Sequence, residues 1–93
     1  MLQCTQQGDA LTVHLCGEID HCAAESLRNE IEMQIVRRNA KRLILDFSQV
    51  TFMDSSGIAL ILRAQQRMQL LDGSVLVRNV PPQARRVLDA AGI

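Results

Sequence analysis

The chemistry-bearing stretch of this chain is Asp54-Ser55-Ser56-Gly57, a polar corner between Thr51-Phe52-Met53 and the apolar start of a helix at Ile58. Aspartate and serine at a helix start accept hydrogen bonds from N–H groups that lack an intrahelical partner, and glycine permits close approach. Capping alone therefore accounts for the corner, and the residue types leave the cap open between Asp54, Ser55 and Ser56. A hydroxyl here could also serve as a nucleophile or as a phosphate acceptor. As a nucleophile Ser55 would need a base and an orienting acid, for which His21 and Asp20 are the available pair. The pattern suits that chemistry poorly. Met53 stands where a nucleophile elbow needs glycine, no Gly-rich loop with lysine is present to cradle phosphate, and so short a chain leaves little room for a substrate cleft. No catalytic residue is assigned and no enzyme is expected. A phosphate acceptor fits better: a phosphoserine gains from the positive end of the helix while adding roughly −1.5 to −2 charge beside Asp54 and Asp20, so the fold persists while the surface changes.

The flanking pattern predicts an α/β fold: a mixed sheet of about four strands, an N-terminal hairpin followed by parallel β-α-β units, with three helices packed against it. Leu11, Val13 and Leu15 alternate with Thr12, His14 and Cys16, a strand paired with Leu2 to Gln6 through a turn at Gln7-Gly8-Asp9. Gly17-Glu18-Ile19-Asp20 ends that strand, and Asp20 suits the N-cap of a helix from His21 to Arg38, with Ala24, Leu27, Ile31 and Ile35 at helical spacing. Arg42 to Phe47 reads as a strand covered on both faces, and Ser48-Gln49-Val50 as a loop. The second helix spans Ser55 to Leu71 and ends at Asp72-Gly73, with glycine in the left-handed conformation. Ser74 to Arg78 is a fourth strand, parallel to the third. Pro81-Pro82 then starts a last helix, Gln83 to Ala91, with Ala84, Val87, Leu88 and Ala91 facing inward and Gly92 at its end.

This order has a topological consequence. Loops after the carboxyl ends of adjacent parallel strands open on one edge of the sheet, so Asp20-His21 should meet the corner, each stretch at a helix N-terminus. On the second helix Leu60, Ile61, Ala64, Met68 and Leu71 form one packed stripe. Ile58 and Leu62 fall off it beside Gln65 and Gln69. They are either an exposed apolar patch fit for a partner, or part of a broad stripe covered by another helix.

The totals narrow the choices. Ninety-three residues with 47% hydrophobic content suit one domain, residues 1–93. Ten basic residues balance ten acidic ones, which leaves no electrostatic footprint for nucleic acid or an anionic membrane. Apolar runs such as Ile58 to Leu62 are too short to span a bilayer and no leader is evident, so a cytoplasmic protein is expected. Cys4, Cys16 and Cys22 are odd in number and irregular in spacing, a poor disulfide framework, and with His14 and His21 they do not resemble a zinc site. Cys16 and Cys22 are read as small apolar residues. Phe47 and Phe52 are the only aromatics, so the core must be aliphatic and no base-stacking platform is available.

Gly17-Glu18-Ile19-Asp20-His21 together with Phe52-Met53-Asp54-Ser55-Ser56-Gly57-Ile58 resembles the STAS-domain family of anti-sigma factor antagonists, most of all its sporulation branch directed at the anti-sigma F factor. The likeness runs on through Ala24-Glu25-Ser26-Leu27, Leu43 to Phe47, Asp72-Gly73 and Pro82 to Gly92. It implies a regulator of transcription. The unphosphorylated protein binds an anti-sigma factor that is also a serine kinase and displaces the sigma factor; the kinase phosphorylates the first serine of Asp-Ser-Ser-Gly, here Ser55, and binding is lost. A metal-dependent serine phosphatase restores it. ATP and metal belong to those partners, so no cofactor or metal is implied in this chain. Asp20 and His21 border the implied contact surface with Asp54, Ser56, Gly57, Ile58 and Leu62. The choice of Ser55 over Ser56 rests on the resemblance. Such relatives usually continue with a final strand and helix, which residues 1–93 are expected to lack, leaving a bare sheet edge; a monomer is nonetheless expected. The competing reading from another class is a STAS-like scaffold or subunit of a larger assembly, in which Ser55 caps and docks without a phosphate cycle.

Overall fold

Alternating apolar residues in two segments and helical spacing in two others produce the layered arrangement seen in the computed structural model, which describes residues 2–93. Strands β1 (Gln3–Gln7) and β2 (Ala10–Ile19) form the hairpin, followed by α1 (His21–Arg38), β3 (Arg42–Met53), α2 (Ser55–Leu70), β4 (Ser74–Arg78) and α3 (Pro82–Ala90). The four strands lie in the order β1-β2-β3-β4, antiparallel in the hairpin and parallel thereafter. The mixed sheet, its parallel half and the three helices match the expectation.

Register and alternation place Leu11, Val13 and Leu15 of β2, Leu43, Leu45 and Phe47 of β3, and Val75 and Val77 of β4 on one face. Helices α1 and α2 cover that face, with α1 on β2 and α2 on β3 and β4, while α3 lies against β3. Leu11, Leu15, Ile19, Ile35, Leu45, Phe47, Met53 and Ile61 are all within 1% of complete burial. Side chains of this size each contribute about 1.5–3 kcal/mol by leaving water. The aliphatic core is as expected, with Phe47 its single buried aromatic.

Four expectations fail, each for a local physical reason. Ser48-Gln49-Val50 is not a loop but the middle of β3. The strand carries extra residues there: pairing with β2 shifts between His14 and Cys16 and again between Gly17 and Glu18, and such bulges break the two-residue period. Gly17, opposite Val50 just before the second irregularity, has φ +79°, a left-handed conformation that glycine takes without steric cost. At the end of α2 the left-handed residue is Asp72, at φ 56°, not Gly73. Gly73 is required for space, because a Cβ there would lie 2.5 Å from the Lys41 carbonyl oxygen and 2.7 Å from Met68 Cε. Cys16 and Cys22 are exposed rather than packed as small apolar residues: Cys16 borders an open groove beside Ala23 and Leu27 of α1, and Cys22 lies on the wet side of the first turn of α1. Ala91 is exposed beyond the end of α3, while Ala84 and Leu88 hold its inner face.

Candidate functional site

The site forms where β2 and β3 end together. Ile19 pairs with Met53, both fully buried, and the next residue on each strand is a helix N-cap. Asp20 caps α1, its Oδ1 accepting from the Ala23 N–H at 2.9 Å. Asp54 caps α2, its Oδ1 accepting from the Ser56 N–H at 2.8 Å. The Asp54 N–H in turn donates to the Ile19 carbonyl at 3.3 Å, which stitches the two corners together. The convergence expected from parallel topology is present, and the open choice of cap resolves to Asp54.

That resolution separates the two serines. Ser55 is the first residue of α2 and is exposed, whereas Ser56 is half-buried with its N–H held by Asp54. Gly57 is buried, and a Cβ there would collide with Cγ and Sδ of the buried Met53, so the helix can approach the strand end only without a side chain. Asp20 and His21 are exposed. The Asp20 carboxylate is engaged with Ala23, and among the described residues no hydrogen bond joins His21 to Ser55 or to Asp20, so the three do not line up as a proton relay. The pair Ile58 and Leu62 divides. Ile58 is half-buried and packs against the core, while Leu62 is 45% exposed.

From the corner a groove of about 340 Å³ runs between α1 and α2, with His21 and Ser56 at its head, Ala24, Ala59 and Leu60 along it, and Arg28 and Arg63 further down beside Glu25. Among the described residues no group of His, Cys, Asp and Glu is arranged to hold a metal ion, and no helix is long and apolar enough to cross a membrane.

Sequence reasoning missed two contributors. Phe52, beside the corner and paired with Glu18, is 44% exposed because the bulge before it turns it away from the core. Gln83, at the start of α3, accepts from the Met53 N–H through Oε1 and donates to the Met53 carbonyl through Nε2, both at 2.9 Å. Its place after Pro81-Pro82 signals a helix start, but nothing local to it names the strand it meets.

A second polar cluster lies on the sheet face away from the helices. Asp46, 8% exposed, faces His14 across the strands with Nδ1 to Oδ2 at 3.5 Å. Its Oδ1 accepts from the Ser48 N–H at 2.9 Å and from Asn79 Nδ2 at 3.4 Å. The Ser48 backbone bond, with smaller help from the Ser48 and Asn79 side chains and His14, holds the Asp46 carboxyl below its ordinary value against the opposing effect of burial. Burial pushes the Cys4 thiol upward, away from the thiolate form.

The profile of the STAS domain matches residues 1–93. The chain belongs to the STAS domain family. An anti-sigma F factor antagonist of Paenibacillus polymyxa is 34% identical to this STAS domain over 83 residues, spanning 89% of this chain and 71% of the relative. A solved structure of the anti-sigma factor antagonist SpoIIAA in its unphosphorylated form superposes with a TM-score of 0.86 at 29% identity, covering 99% of this chain and 81% of that one. The phosphorylated form of SpoIIAA, a Bacillus cell fate determinant, gives a TM-score of 0.76 at 29% identity, over 99% of this chain and 84% of that one.

Proposed function

We propose that this STAS domain is an anti-sigma factor antagonist whose binding is switched off by a phosphate on Ser55. In this reading the unphosphorylated form docks on an anti-sigma factor that is also a serine kinase, through Asp20, His21, Asp54, Ser56, Ile58 and Leu62, with the buried Gly57 seating α2, and frees the sigma factor during sporulation. The observation that carries it is the exposed hydroxyl of Ser55 at the head of a helix already capped by Asp54. Because Asp54 satisfies the Ser56 N–H, Ser55 is left to accept phosphate without uncapping α2. The likeness to SpoIIAA, solved with and without phosphate, supports the cycle. The domain acts by binding rather than catalysis; ATP and metal enter with the kinase and with a metal-dependent serine phosphatase that resets the switch. It works in the cytoplasm as a monomer.

The energetics are modest. Phosphate brings roughly −1.5 to −2 charge next to Asp54 and Asp20. A penalty of about 3 kcal/mol at the interface lowers affinity roughly a hundredfold. Incubation with the anti-sigma factor of the same genome and ATP is the test: one phosphate mapped to Ser55, none on the Ser55→Ala variant, and release of the phosphorylated form support the switch. Tight binding with no transfer would instead favour a scaffold.

A further inference from the structure

The end of β3 has a neighbour on one side only. Strand β4 pairs with Arg42 to Asp46 and stops at Arg78, so the stretch from Phe47 to Met53 runs on past it. Successive residues of a strand direct their backbone groups to opposite sides. Asp54 directs its N–H to Ile19 of β2, while both backbone groups of Met53 point to the side that β4 has vacated. Left unpaired beside a fully buried side chain, those two groups would carry the cost of unsatisfied polar atoms. Gln83 takes both, donor to acceptor and acceptor to donor, as a neighbouring strand would. At neutral pH, where a carboxyl of the same reach is ionised and only accepts, a primary amide supplies both roles from one side chain.

We propose that Gln83 is the positioning residue of the acceptor serine: an amide standing in for a missing strand, which fixes Met53 and thereby the seat of Asp54 and Ser55 two residues on. Phosphoryl transfer depends chiefly on how well the attacking hydroxyl is placed, so loosening this seat should slow transfer more than it weakens docking. The inference rests on the reading of Ser55 as the phosphate acceptor, and it makes α3 part of the switch.

Two variants of the whole chain test it. Gln83→Met keeps the length of the side chain and removes both hydrogen bonds. Amide exchange at Met53 should quicken about tenfold relative to wild type, with exchange at Leu43 and Leu45 unchanged. With kinase and ATP, kcat for modification of Ser55 should fall about tenfold while KM stays within roughly twofold. Gln83→Glu can donate to the Met53 carbonyl only when protonated, so its exchange should be intermediate at neutral pH and match wild type below about pH 4. Unchanged Met53 exchange in Gln83→Met, a Gln83→Glu variant indifferent to pH, or loosened exchange with unaltered kcat each overturns the proposal. A wild type that takes no phosphate at all overturns the switch itself, and the exchange arm still decides whether Gln83 holds the corner.

Discussion

At the scale of single residues the corner separates two duties that its composition leaves entangled. Asp54 caps and Ser55 is exposed, so charge can be added at Ser55 with little effect on folding. We expect Ser55→Asp to weaken binding to the anti-sigma factor about tenfold, less than phosphate because it carries less charge, with a circular-dichroism melt close to wild type. Asp46 contributes to stability in a pH-dependent way. Its carboxyl is held below the ordinary value in the folded state, chiefly by the Ser48 N–H, so the folded protein binds that proton less readily than the unfolded chain. The stabilisation is therefore present above the ordinary carboxylate value of about 3.9 and is lost as pH falls through the lower folded value. Urea denaturation between pH 6 and pH 2, roughly the range in which carboxylates protonate, should show wild type losing more stability than Asp46→Asn; parallel curves would remove Asp46 from the account.

At the scale of elements, helix α2 meets the core on one side and, in the proposed function, a partner on another. Leu62 is exposed and Ile58 is packed, so the same substitution should have different effects. Leu62→Ser should leave urea stability within about 0.5 kcal/mol and reduce partner affinity, whereas Ile58→Ser should lose about 1 kcal/mol or more of stability as well. Gly57→Ala should cost about 1–3 kcal/mol, because the new methyl falls on Met53 and that side chain is buried with nowhere to swing. The elements themselves were legible in the sequence wherever one periodicity ran unbroken: Ala24, Ile31 and Ile35 for α1, Leu60, Ile61, Ala64 and Met68 for α2, and Leu11, Val13 and Leu15 for β2. Legibility ended at Ser48-Gln49-Val50, where bulges hide a strand behind a loop-like pattern. It ended again at Asp72-Gly73, where Asp72 takes the left-handed turn and Gly73 is required by its closeness to Lys41, a contact between distant parts of the chain.

At the scale of the whole molecule, parallel topology was enough to bring Asp20-His21 to the corner, because that juxtaposition follows from strand direction alone. The hydrogen bonds that set the corner were not legible, since Gln83 reaches Met53 across thirty positions of sequence. The two irregularities in β3 also have an arithmetic. Each bulge sets two successive exposed residues, Ser48 with Gln49 and Thr51 with Phe52, where β2 has one, so Val50 and then Met53 return to the core in step with Gly17 and Ile19. Removing Ser48 alone would leave His14 opposite Asp46, Cys16 opposite Gln49, Gly17 opposite Val50 and Ile19 opposite Met53, as they stand now. Removing Leu45, where the two-residue period is unbroken, would set the residues before it on the wrong face. We expect the Ser48 deletion to keep its cooperative thermal melt and the Leu45 deletion to lose it; a Ser48 deletion without a cooperative melt would refute the argument. Length in this strand is free by one residue at each bulge and fixed elsewhere, and relatives should gain or lose single residues at these two points.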